Sequence, residues 1–130
     1  MATPDKKAGL IPALFTTALL LGVAATSAQA ASGEELFKQN CAACHALQKD
    51  APMGMGPNLA AIIGRPAGAV QGFPHSEEFR NALKGKSWTP ELLDKWLENP
   101  QKVAKGTYMM YQQSDPAIRS AIIDYLKTIK

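Results

Sequence analysis

The chain has 130 residues with 14 basic and 11 acidic side chains, a formal net charge of +3, which leaves room for one domain with a modest core. So slight a positive balance argues against a nucleic-acid partner. Both cysteines and one of the two histidines fall within five positions, CAACH at 41–45.

Taken from the N-terminus, Lys6 and Lys7 precede an apolar stretch from Ala8 to Ala25, and small residues follow in SAQA at 27–30. That order reads as a secretory signal peptide cleaved after Ala30, leaving a domain over 31–130. A retained membrane anchor is the alternative, because the apolar run approaches the length of short bilayer spans. Pro12 and the Thr16-Thr17 pair weaken such a span. In either case the domain is exported, which for a bacterium means the oxidising periplasm, where two unengaged thiols tend to pair. Loss of Asp5, Lys6 and Lys7 with the signal lowers the net charge to +2. Lysines at 49, 84, 86, 102 and 105 are then either a docking face for an acidic partner or ordinary solvated side chains.

Ser32 followed by Glu35 is a capping box, and Leu36 and Phe37 begin an apolar stripe running through Cys41 and Cys44. The CAACH cluster is therefore expected at the C-terminal end of a helix. From Lys49 to Gln71 glycine and proline interrupt short apolar pieces, the signature of a long loop wrapped around something. Such a loop in a small domain usually carries function. Ser76 caps a short helix expected to reach Leu83. Thr89 and Pro90 open another, with Leu92, Leu93, Trp96 and Leu97 on its apolar face, and Pro100 stops it. QKVAKGTYMMYQQS reads as irregular. Asp115 and Pro116 start the last helix, with Ile118, Ile122, Tyr125, Leu126 and Ile129 at helical spacing. No stretch alternates for long enough to make a sheet. The expected fold is all-α, several short helices and long loops, and a large apolar cofactor would supply the centre that so few residues cannot fill.

Three chemistries use a Cys-x-x-Cys pair. Zinc needs four well-spaced ligands, and adjacent Cys44 and His45 with a lone His75 do not provide them. A dithiol redox motif sits at a helix N-terminus in a βαβ context, which is missing here. Cys-x-x-Cys-His is the signature of covalent haem attachment: thiols at i and i+3 share a helical face and can each add to a haem vinyl group, and the next residue brings its imidazole to the iron. Cys41 and Cys44 are thus the candidate attachment residues and His45 the candidate iron ligand, giving one covalent haem c.

After CAACH come GPNL at 56–59, GR at 64–65, GF at 72–73, LENP at 97–100, KGTYM at 105–109 and DYLK at 124–127. With that ordered set the sequence closely resembles class I cytochrome c, the mitochondrial and bacterial cytochrome c2 type, over nearly all of residues 32–130. The resemblance implies that Met109 is the second axial ligand opposite His45, that Met110 takes an apolar packing position, and that the Pro57 carbonyl accepts the proton of the ligand histidine. It also implies that Thr107, Arg65 and Trp88 belong to the network around the haem propionates, and that Gly33 and Phe37 lie where the first helix crosses the last, against Ile122 and Tyr125. Met53 and Met55 match no ligand and are expected to pack. The sequence departs from the family pattern at His75 and Trp96, which replace tyrosines, at Phe79, which replaces an asparagine, and at Lys105, which replaces a proline.

The function implied is that of a monomeric periplasmic electron carrier with His-Met ligation, which raises the reduction potential. It would take electrons from a cytochrome bc1-type donor and pass them to an oxidase, reductase or reaction-centre acceptor, with no small-molecule substrate. Lys49, Lys102 and Lys105 would orient the partner. The rival readings are a haem enzyme or ligand sensor with a labile sixth position, and a membrane-tethered module of a respiratory complex.

Overall fold

The computed structural model describes residues 1–3, 9 and 29–130. The expected export segment therefore lies outside the described residues except at its ends. Five α-helices are described: α1 (Gly33–Asn40), α2 (Glu77–Ala82), α3 (Pro90–Glu98), α4 (Pro100–Val103) and α5 (Pro116–Thr128). An isolated bridge between Pro66 and Ser87 is the extended pairing among the described residues, and no described helix is long and apolar enough to cross a membrane.

Each helix starts where a side-chain oxygen meets its unpaired N–H groups. Ser32 and Glu35 exchange the two bonds of a capping box, Ser76 Oγ accepts from the Phe79 N–H, Thr89 Oγ1 from that of Leu92, and Asp115 from that of Ala117. Two expectations need correction. Pro100 ends α3 but also opens α4, inside the stretch read as irregular. Asn99 is responsible, because its Oδ1 accepts from the N–H groups of both Gln101 and Lys102, at 3.0 and 3.3 Å. And α1 ends at Asn40, before CAACH; Cys41 is its C-cap, and residues 41–45 form a tight turn whose Cys41 carbonyl accepts from the N–H groups of Cys44 and His45 at 3.0 and 2.9 Å.

Helix α1 crosses α5 with Gly33 at the contact, where a Cβ would fall on the Ala121 carbonyl and 2.9 Å from Tyr125 Cβ. Phe37 packs beside it against Tyr125, ring centroids 5.8 Å apart. α3 packs on α5 and is pinned by Arg119, whose Nε donates to Asp94 Oδ1 at 2.7 Å while its Nη1 donates to the carbonyls of Gln113 and Ser114. Phe37, Leu93, Leu97, Ile122 and Leu126 join in one buried cluster. The cluster forms one wall of a cavity; the long loop from 46 to 76 supplies much of the rest.

A cavity between the CAACH turn and the methionine loop

The cavity has a volume of about 400 Å³ and a mostly apolar lining, within the range of cofactor sites. Cys41, Cys44, His45, Pro57, Arg65, Trp88, Thr107 and Met109 all line it. The fold thus brings together every candidate site residue from four separate stretches of chain.

His45 is held from two sides. Its Nδ1 lies 2.7 Å from the Pro57 carbonyl oxygen, and because a carbonyl only accepts, Nδ1 carries the hydrogen. Burial lowers the pKa of the ring, and the Pro57 bond opposes that shift. The imidazole is therefore neutral at pH 7, with the Nε2 lone pair available to a metal. Gly56 makes the close approach possible, since a Cβ there would come within 2.6 Å of His45 Nδ1. The two thiols are not joined to each other. Burial, and secondarily Cys44, pushes the Cys41 thiol up to about 11, so it stays protonated.

Met109 reaches the cavity from the loop after α4. Its Sδ accepts a hydrogen bond from Trp96 Nε1 at 3.0 Å. A thioether sulfur has two lone pairs, so one remains for a metal. Trp96 belongs to an interlocked ring wall: its centroid lies 5.4 Å from that of Trp88 and 5.5 Å from that of Phe79, both edge-on, an arrangement that aromatic quadrupoles favour.

Arg65 donates from Nη2 to the Asn58 carbonyl at 2.6 Å and from Nη1 to the Ala60 carbonyl at 2.8 Å. Its backbone pairs with that of Trp88, whose N–H donates to the Arg65 carbonyl at 2.9 Å. His75 stacks on Phe79 with centroids 4.3 Å apart. Among the described residues His75 Nε2 is the buried side-chain polar atom without a partner.

Not every expectation about the methionines holds. Met110 is 71% exposed, and Met53 and Met55 are 51% and 83% exposed, so none is a core residue. Met109 and Met110 both border the cavity, Met110 as an exposed residue at its rim. Two roles were not read from the sequence: that of Gly56, which opens the GPNL motif but gives no sign of its contact with His45, and that of Gln101, which lies behind the cavity lining and carried no signal beyond its position after Asn99-Pro100.

Over residues 28–126 the chain matches the family model described as cytochrome C oxidase, cbb3-type, subunit III. It is 41% identical over 99 residues to cytochrome c2 of Rhodopila globiformis, covering 75% of this chain and 91% of that one. It is 37% identical over 97 residues to cytochrome c of Ginkgo biloba, covering 74% and 84%. The chain belongs to the cytochrome c family. Among solved structures, cytochrome c2 from Rhodospirillum Centenum superposes with a TM-score of 0.68 at 34% identity, over 75% of this chain and 95% of that one. Ferricytochrome c2 from Rhodopseudomonas palustris gives a TM-score of 0.67 at 31% identity, over 75% and 96%. As a cytochrome c, this chain has the all-α class I fold and is a haem electron carrier with one covalently bound c-type haem. The cavity fits that group on its own evidence: an apolar lining, a neutral imidazole, two free thiols, and in His75 Nε2 a buried polar atom that finds no partner among the described residues.

Proposed function

We propose that this cytochrome c is an exported, soluble, monomeric shuttle in which Cys41 and Cys44 hold the haem by thioether bonds and His45 and Met109 ligate its iron. Haem held there supplies a one-electron ferric/ferrous couple. The observation that carries the reading is that His45 and Met109, far apart in sequence, line one cavity, each fixed by a hydrogen bond that leaves a lone pair free. The Pro57 carbonyl raises the basicity of His45 by drawing on its Nδ1–H. Trp96 withdraws density from the Met109 sulfur. Arg65, Trp88 and Thr107, with His75, form the polar edge that would receive the haem acids. Ligation by both His45 and Met109 would leave the iron no open site, which favours electron transfer over chemistry on a substrate.

Removal of residues 1–30 would release the domain into the periplasm. Exposed Lys49, Lys102 and Lys105 would orient an acidic redox partner, such as a cytochrome bc1-type donor or an oxidase, reductase or reaction-centre acceptor. The test is the ferric optical spectrum of holoprotein matured in a periplasm. Wild type and Met110→Ala should show the weak red charge-transfer band of sulfur on iron, and Met109→Ala should lack it. A wild type without that band would move the haem enzyme or sensor reading ahead of the carrier.

A further inference from the structure

The loop that carries Met109 has little regular structure of its own. Between Lys105 and Met110 the one backbone-to-backbone hydrogen bond described runs from the Thr107 N–H to the Ala104 carbonyl, at 3.0 Å. The other backbone polar groups that are engaged meet a single side chain. Gln101 Oε1 accepts from the Gly106 N–H at 2.9 Å, and its Nε2 donates to the Thr107 carbonyl at 2.8 Å and to the Met109 carbonyl at 3.2 Å. The carboxamide orientation follows from these partners, because a flipped amide would set NH₂ against an N–H and oxygen against two carbonyls. Gln101 is itself rigid at its base, in the first turn of α4, where Asn99 Oδ1 holds its N–H at 3.0 Å.

We infer that Gln101 is a positioning residue for the axial methionine: it clamps the backbone of 106–109 to α4 and so keeps Met109 from swinging away from the iron. Its bonds address the backbone on both sides of Thr107, including the ligand's own carbonyl, while Trp96 addresses the ligand's sulfur from α3. Three hydrogen bonds between one side chain and the loop backbone, with a longer contact from Nε2 to the Met110 sulfur at 3.6 Å, stabilise the closed loop against an open one in which residues 105–110 are solvated. The inference rests on Met109 being the ligand.

The test uses holoprotein with Gln101→Leu, which keeps most of the side-chain volume but makes no hydrogen bonds, and Gln101→Glu, which can still accept from Gly106 but donates nothing. The probe is imidazole, which binds only when the sixth position opens, so its apparent affinity scales with the open fraction. Gln101→Leu should bind imidazole about tenfold more tightly than wild type, as the loss of even one to two hydrogen bonds implies. Gln101→Glu should fall between them, and the charge-transfer band should melt at a lower temperature than the far-UV helical signal in both variants. Equal imidazole affinity in wild type and Gln101→Leu would overturn the inference while leaving the ligand assignment intact, as would a band that disappears only together with the helices. A wild type without the band would overturn both.

Discussion

His75 lies half-buried at the cavity edge between Phe73 and Phe79, with Nε2 unpartnered. Burial, then the guanidinium groups of Arg80 and Arg65, lower its pKa from the ordinary 6.5. In the polypeptide alone the ring is therefore neutral at pH 7. A proton there would add positive charge at the cavity edge and disfavour the ferric form of a haem held in it, so the reduction potential should rise as the pH falls and His75 takes up its proton. His75→Phe should flatten that rise while keeping the stack on Phe79, as potentiometry across pH 4.5–8 would show. A haem carboxylate reaching Nε2 would oppose the lowering and carry the bend upward, so the position of the bend reports whether Nε2 meets the acid. The linkage has a matching sign. An unfolded chain takes up the proton first, so the contribution of neutral His75 to stability is present above 6.5 and lost as the pH falls from there toward the lower folded value.

At the scale of elements, the crossing of α1 and α5 depends on what Gly33 lacks. Its neighbours are the Ala121 carbonyl and the Cβ of Tyr125, both tied to the frame of α5, so neither can give way as a flexible side-chain tip would. Gly33→Ala should cost about 1–3 kcal/mol, the usual range for overpacking, read as a lower urea midpoint with an unchanged optical spectrum. The same elements show what a sequence exposes. The starts of α1, α2, α3 and α5 were legible because a cap is a local signal: Ser, Thr or Asp stands just before the first turn, followed by Glu or Pro. Helix α4 carries the same signal in Asn99-Pro100, but a proline also terminates, and the two meanings cannot be separated until the side chain of Asn99 is seen turned forward onto Gln101 and Lys102. The exposure of Met110 was hidden for a different reason. Nothing in two adjacent methionines tells which faces inward.

At the scale of the whole molecule, none of the described helices has more than 13 residues and α4 has four, lengths at which isolated helices are marginal in water. Their apolar faces converge on the cavity. Replacing Cys41 and Cys44 together by Ala should therefore give a chain that, matured without attached haem, loses most of its far-UV helical signal; full helicity would show that the helices pack without it. The candidate site residues were legible as a set because CAACH and the stretches after it are short contiguous motifs. The roles of Gln101 and of Gly56, though Gly56 opens the GPNL motif, were not, because each works through a contact with another stretch of chain, which exists only once the chain has folded.

The ring wall of Phe79, Trp88 and Trp96 has one consequence besides packing. Three interlocked rings have no dipole free to turn when an electron arrives, and they keep water, whose dipoles would turn, off that side of the cavity. The medium around the iron is thus nearly the same before and after the charge changes, which lowers the reorganisation energy. Electron transfer in either direction then has a small activation barrier, and its speed is set mainly by how closely a partner can approach.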